Sequence, residues 1–114
     1  MSRVTAFFNP ILFVLAMLLT FVLCSTSATA QDAASLYKTK CAMCHGTDGK
    51  GETSVGKSTG VRSFSSPEVQ KESDAELTQI TNKGKAKMPA YESKLTEAQV
   101  KELVAYVRQL GKGK

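Results

Sequence analysis

The stretch Cys41-Ala42-Met43-Cys44-His45 places two thiols and an imidazole at a fixed spacing. This Cys-x-x-Cys-His spacing is typical of the attachment site of a c-type haem. Cys41 and Cys44 can form thioether bonds to the two haem vinyl groups, while His45 can place its imidazole on the iron from one face. The stretch therefore predicts one covalently attached haem c, with the rest of the chain folded around it.

A Cys-x-x-Cys pair also occurs in redox-active disulfides and in zinc sites. A structural zinc site normally uses four Cys or His ligands, and beyond residue 30 the chain offers only Cys41, Cys44 and His45, its sole histidine. A thioredoxin-like dithiol normally lies in a βαβ unit, and no alternating strand pattern flanks the pair. The disulfide and the metal site are the two alternatives to haem attachment.

The first thirty residues have the character of a secretory signal. Arg3 gives a positive start, a thirteen-residue apolar run covers Ile11 to Leu23, and Ala28-Thr29-Ala30 fits the small-x-small cleavage pattern. The run is shorter than the roughly 20 apolar residues of a spanning helix, so retention as an anchor is the alternative. We expect residues 1–30 to be a cleaved signal peptide and residues 31–114 to be a periplasmic or otherwise exported domain.

The mature domain would have 84 residues, a size at which a side-chain core alone is marginal. A covalently held haem adds a large apolar body around which short helices can bury one face. We therefore expect the haem-free chain to be largely unfolded.

The charge of the mature chain is mildly basic. Without Arg3 it has fourteen Lys or Arg and ten Asp or Glu, a net charge of +4. This bias favours docking on acidic protein surfaces or on an anionic membrane. Nucleic acid is not an expected partner, because no basic stretch is interleaved with aromatic residues.

Capping signals divide the mature chain into short helices. Asp32 is a candidate cap for the first helix, and Ser66-Pro67 opens a second. Capping boxes that begin at Ser73 and Thr96 open two more. Residues 46–64 hold five glycines and no sustained apolar period, which predicts a loop or short turns that wrap a haem edge. The predicted helices cover residues 32–41, 66–71, 73–83 and 96–110, so the predicted fold class is all-α.

Apolar residues at helical spacing mark one face of the last predicted helix. We expect this face to pack on Leu36 and Tyr37 of the first helix, which leaves the middle segments to enclose the haem. The residues of the face are Val100, Leu103, Val104, Val107 and Leu110.

An iron bound by His45 has an opposite coordination position. The group that fills this position distinguishes an electron carrier from a ligand-binding or catalytic haem protein. The methionines of the predicted signal leave with it, and Met43 lies inside the attachment motif, so Met88 is the candidate ligand. Met88 lies in a loop and precedes Pro89, which biases it toward an extended conformation. A role as core filler is the alternative for a lone methionine.

Together these features resemble a class I cytochrome c, of the kind found as small soluble mono-haem carriers. The resemblance covers the whole mature chain: a first helix ending in Cys-x-x-Cys-His, a glycine-rich loop, a Met-Pro pair about forty residues later and a terminal helix with a tyrosine. It implies short helices wrapped around one covalent haem, with the first and last helices crossing. It further implies that Cys41 and Cys44 anchor the haem and that His45 and Met88 are the axial ligands.

The chain departs from the mitochondrial-type members in one respect. Those members carry a proline after the motif whose carbonyl accepts a hydrogen bond from the ligand imidazole, and residues 46–66 contain no proline. Another carbonyl of that loop is expected to orient His45. Arg62 and Lys57 are candidate partners of the haem propionates, and Tyr91 is expected either to pack beside Met88 or to bond a propionate.

The expected function is one-electron transfer between membrane or periplasmic redox proteins by a soluble carrier that is not itself an enzyme. The expected docking face is a haem edge near residues 83–89, flanked by Lys83, Lys85 and Lys87. Two alternatives stay open. One is an electron-entry subunit held in a larger oxidoreductase complex, and the other is a ligand-binding or peroxidatic haem protein in which Met88 dissociates.

Overall fold

The computed structural model describes residues 28–113. Residues 1–27 of the predicted signal peptide, and Lys114, lie outside the described residues. One isolated bridge between Lys85 and Met88 is the only β-type pairing within 28–113. None of the helices in this range has the length and apolar character needed to cross a membrane. The helices are α1 (Ala28–Lys40), α2 (Ala42–His45), α3 (Ser54–Thr59), α4 (Pro67–Lys71), α5 (Asp74–Lys83) and α6 (Glu97–Gly111).

Capping boxes open α5 and α6, as the sequence predicts. The Ser73 hydroxyl accepts a hydrogen bond from the Glu76 backbone N–H, and the Glu76 carboxylate accepts one from the Ser73 N–H. Thr96 and Gln99 form the same reciprocal pair at the start of α6. Each box satisfies two N–H groups that have no partner inside the helix. The predicted starts of both helices are confirmed.

The starts of α1 and α4 differ from prediction in detail. The first helix begins at Ala28, so Asp32 lies inside it and does not cap it. Ser66 occupies the N-cap position of α4, but its side chain makes no capping hydrogen bond. Pro67 at the first helical position supplies the start instead, because its fixed φ suits the helix and it has no N–H to satisfy.

The helix α3 lies within the segment 46–64, where the sequence predicted a loop or short turns. The Thr53 side chain caps it by accepting from the Gly56 N–H at 2.9 Å. The same hydroxyl lies 2.8 Å from the Met43 carbonyl and 3.1 Å from the Cys44 carbonyl, to which it can donate. This helix therefore rests on a cap and on the motif backbone, and not on an apolar stripe, which explains why its sequence shows no helical period.

The core lies between α1 and α6, which pack against each other. Tyr37 of α1 is 2% exposed and Val100 of α6 is 1% exposed. Leu36 packs against the same cluster. The predicted packing of the last helix on Leu36 and Tyr37 is confirmed. The other buried members of the cluster are Phe64, Val69, Leu77, Leu103 and Val104.

Arg108 joins α6 to the turn between α4 and α5. Its Nε donates to Asp74 Oδ1 at 2.8 Å, and its Nη1 donates to the Val69 carbonyl at 3.3 Å. A third hydrogen bond runs from Nη2 to the Glu72 carbonyl. The side chain of Arg108 therefore holds the middle helices against the last one.

Candidate haem site

A cavity of about 310 Å³ opens among α2, α4, α5 and α6. This volume falls at the lower end of the range for small-molecule and cofactor sites. All four predicted site residues, Cys41, Cys44, His45 and Met88, line it. Most of the remaining wall is apolar, and its aliphatic members are Val61, Val69, Leu77, Ile80, Leu95, Leu103, Val104 and Val107.

The attachment motif takes up a tight turn at the end of α1. The Cys41 N–H donates to the Tyr37 carbonyl, so Cys41 follows directly from the first helix. The Cys41 carbonyl then accepts hydrogen bonds from the N–H groups of both Cys44 and His45, at 3.2 and 3.0 Å. This single turn brings the two thiols and the imidazole to one side of the chain, facing the cavity.

The two cysteines are not joined by a disulfide. Burial raises the pKa of the Cys41 thiol to about 11, with a smaller contribution from Cys44. A redox-active Cys-x-x-Cys pair requires the opposite shift, because the thiolate is the reactive form. The environment of Cys41 therefore disfavours a thioredoxin-like role for this pair.

His45 presents a neutral imidazole to the cavity. Its ring stacks on Phe64, with ring centroids 4.8 Å apart and planes inclined by 23°. Burial lowers the pKa of His45, which favours the neutral form that binds metals. Nδ1 is buried without a hydrogen-bond partner among the described residues.

The expected carbonyl partner for the His45 ring is not present among the described residues, so that prediction is wrong. Two carbonyls of this loop accept hydrogen bonds from groups other than His45. The Gly46 carbonyl accepts from the Tyr37 hydroxyl at 2.6 Å, and the Gly49 carbonyl accepts from the Phe64 N–H at 2.9 Å. Stacking on Phe64 is thus the described contact that orients this imidazole.

Met88 lies in a tight turn that follows α5. The Lys85 N–H donates to the Met88 carbonyl at 3.2 Å, and the Met88 N–H donates to the Lys85 carbonyl at 2.9 Å. Ala86, inside this turn, has φ of 53°, a value that favours glycine. Gly84 has φ of 75°, and a Cβ there would lie 2.6 Å from the Met88 carbonyl oxygen. The backbone around Met88 is therefore closely fixed.

Charged side chains lie along the rim of the cavity. Arg62 pairs with Glu72 at 3.2 Å, and Lys85 approaches the same carboxylate at 3.9 Å. Lys87 also lines the cavity. Of the two predicted propionate partners, Arg62 lines the cavity and Lys57 does not. Cations at the rim suit a ligand that carries carboxylates.

Lys83, the third lysine of the predicted docking face, is engaged elsewhere. It pairs with Glu92 at 2.6 Å and does not line the cavity. Lys85 and Lys87 are exposed, as Lys83 is, but they line the cavity. The structure therefore separates these two lysines from Lys83.

The chemistry of this donor set fits a haem c. Two thiols, an imidazole and a thioether surround an apolar space, and cations lie at its rim. The sequence analysis did not single out Phe64 or Glu72, which both line the space. Phe64 had one usable signal, since it is the lone aromatic residue at the end of a long polar, glycine-rich segment.

Comparison with known proteins identifies the family. The family model described as cytochrome C oxidase, cbb3-type, subunit III matches residues 28–107. The chain is similar to the Cbb3-type cytochrome c oxidase subunit CcoP of Azospirillum brasilense, at 34% identity over 90 residues, which cover 77% of this chain and 30% of that protein. This chain therefore spans less than a third of the length of that relative.

A solved structure is similar over the same domain. The KustC0563 c-type cytochrome has 38% sequence identity and a TM-score of 0.64, and the match covers 68% of this chain and 95% of the other. The likeness confirms the all-α cytochrome c fold and one covalent haem c as the cofactor. The chain belongs to the cbb3-type subunit III family of cytochrome c domains and is a small haem electron-transfer protein.

Proposed function

We propose that this protein is a mono-haem electron carrier, with its haem attached through Cys41 and Cys44 and its iron bound by His45 and Met88. The observation that supports this is the convergence of the four side chains on one cavity, although Met88 lies more than forty residues beyond the motif. When bound, the haem supplies one-electron redox chemistry.

Each side chain has a defined role in this proposal. The thioether bonds of Cys41 and Cys44 keep the haem in place during turnover. His45 would hold the iron through a neutral ring nitrogen and Met88 through a soft sulfur, a ligand pair that would favour the ferrous state and raise the reduction potential. Met88 would also take the position that a small ligand needs, which favours electron transfer over a role as an enzyme.

The proposed location is outside the cytoplasmic membrane. Residues 1–30 serve as a cleaved signal peptide, and residues 31–114 form the periplasmic cytochrome domain. The charged start, apolar run and small-x-small site of the first thirty residues support this assignment. The proposed partners are membrane or periplasmic redox proteins with acidic docking surfaces, because the mature chain is basic and Lys85 and Lys87 border the cavity.

A second candidate function is that of an electron-entry subunit within a larger oxidase complex. The relationship to an oxidase subunit of which this chain spans 30% supports it. Separation of the producing cells into soluble and membrane fractions, followed by purification of the native protein, distinguishes the two. A carrier is recovered in the soluble fraction without a fixed partner, whereas a subunit copurifies with membrane proteins at constant stoichiometry.

Two measurements on the exported protein test the proposed haem site. Haem should stay with the polypeptide after denaturing extraction of the wild type and should be lost from the Cys41→Ala, Cys44→Ala double variant. The ferrous protein should bind carbon monoxide slowly at neutral pH, because Met88 blocks the iron. Rapid binding by the wild type would instead support a ligand-binding or peroxidatic protein.

A further inference from the structure

Local contacts hold the loop that carries Met88 onto the end of α5. The Tyr91 N–H donates to the Thr81 carbonyl at 3.0 Å, and the Glu92 N–H donates to the Asn82 carbonyl at 3.1 Å. The Lys83 ammonium adds an ion pair with Glu92. All these bonds lie within residues 81–92. They fix Met88 relative to α5 and leave its position relative to the attachment motif to be set by other contacts.

A hydrogen bond from Tyr91 connects this loop to the residue that precedes the attachment motif. The Tyr91 hydroxyl donates to the Lys40 carbonyl at 3.0 Å, across 51 positions of sequence. Lys40 is the last residue of α1 and directly precedes Cys41. Among the described groups, this is the only hydrogen bond between residues 32–51 and residues 81–95.

The remaining contacts of Tyr91 hold its ring in place. Its carbonyl accepts hydrogen bonds from the N–H groups of Lys94 at 2.8 Å and Leu95 at 3.0 Å, and the Lys94 ammonium lies 5.6 Å from the ring centroid. The ring itself lines the cavity. Burial raises the pKa of Tyr91, so the hydroxyl keeps the proton that it donates. Lys40, at the end of α1, has a carbonyl with no partner inside the helix, and the hydroxyl satisfies it.

We infer that Tyr91 is a positioning residue that sets the distance between Met88 and the Cys41 attachment point. This inference rests on the proposed role of Met88 as an iron ligand. Met88 lies three residues before Tyr91, and Cys41 lies one residue after Lys40. The hydroxyl therefore closes the shortest described hydrogen-bonded link between the residue that carries the thioether sulfur and a residue that anchors the haem.

The test is the Tyr91→Phe variant of the holoprotein, which keeps the ring and removes the hydroxyl. Loss of one such hydrogen bond should raise the rate of carbon monoxide binding to the ferrous form by roughly 2- to 10-fold, because Met88 leaves the iron more often. The weak red absorption band of the ferric Met–iron bond should also disappear at a lower pH than in the wild type. The matched control is Tyr106→Phe, since Tyr106 packs on Tyr37 and does not line this cavity.

The outcomes distinguish a failure of the positioning role of Tyr91 from a failure of iron ligation by Met88. If Met88→Ala changes the spectrum and the carbon monoxide rate while Tyr91→Phe matches the wild type in both, the positioning role is wrong and Met88 ligation stands. If Met88→Ala changes neither property, Met88 is not the ligand and both proposals fall. An equal effect of Tyr91→Phe and Tyr106→Phe would show a general loss of stability and would also overturn the positioning role.

Discussion

The hydroxyl of Tyr37 donates a 2.6 Å hydrogen bond to the carbonyl of Gly46, the residue that follows the proposed iron ligand His45. Tyr37 is among the most buried side chains of the described chain and lies in the core between α1 and α6. The chain leaving the attachment motif is therefore held directly by the core. Burial raises the pKa of Tyr37, so this donor persists at any pH at which the protein would function.

Tyr37→Phe should destabilise the holoprotein. The substitution preserves ring packing but leaves the buried Gly46 carbonyl without its donor, which costs about 1–3 kcal/mol. Urea unfolding followed by absorbance measures the change in the free energy of unfolding. Tyr106→Phe is the control and should change it little. An unchanged urea midpoint for Tyr37→Phe would show that water replaces the hydroxyl without cost.

Gly56→Ala should destabilise helix α3, which packs against the backbone of the attachment motif. A Cβ at this position would collide with the carbonyl oxygens of Cys44 and Gly51, which are both backbone atoms. We expect a loss of about 1–3 kcal/mol, as for other overpacked sites, with a lower yield of holoprotein. Ser58→Ala, an exposed change on the same helix, is the control. Equal yields and urea midpoints for the two variants would contradict this packing.

The haem-free chain should be largely unfolded. Ile80, Leu95 and Val107 line the cavity and are only half-buried, so without a haem these apolar side chains are in contact with solvent. Far-ultraviolet circular dichroism of the Cys41→Ala, Cys44→Ala chain should show weak helical signal and no sharp melting transition. A cooperative melt with the helical content of the holoprotein would show that side-chain packing is enough to fold the chain without haem.

Lys87→Glu should slow electron transfer to a partner with an acidic docking surface. Lys87 is exposed and lines the cavity, whereas Lys101, also exposed, does not line it and serves as the control position. The rate of oxidation by solubilised membranes of the producing cell should fall several-fold in Lys87→Glu, and the wild-type rate should fall as ionic strength rises. A rate that is independent of salt and of this substitution would exclude Lys87 from the docking surface.

Local signals in the sequence predicted much of the fold. The capping boxes at Ser73 and Thr96 each act within four residues of chain, and the apolar face of α6 repeats along one helix. Both features can therefore be predicted without tertiary information. The short helix α3 escaped prediction because its stability depends on the Thr53 cap and on contact with the Cys44 backbone. No pattern within its own six residues reports such contacts.

The candidate site, like the fold, was predicted only in part from the sequence. The motif and Met88 are identifiable from residue type and spacing, but the groups that orient them depend on chain folding over long separations. Tyr91 reaches Lys40 across 51 positions, and Phe64 comes to stack on His45 from the far end of a glycine-rich segment. The Nδ1 atom of His45 is likewise buried without a hydrogen-bond partner among the described residues, which no pattern in the sequence reports.

Optical redox titration of the exported holoprotein and its Met88→Ala variant is the sharpest test of iron ligation by Met88. Met43→Leu is the matched control, because Met43 is 73% exposed and does not line the cavity. Ligation by Met88 predicts a single one-electron couple in the wild type and in Met43→Leu, with a lower potential and loss of the red ferric band only in Met88→Ala. A Met88→Ala protein with the spectrum and potential of the wild type would contradict it.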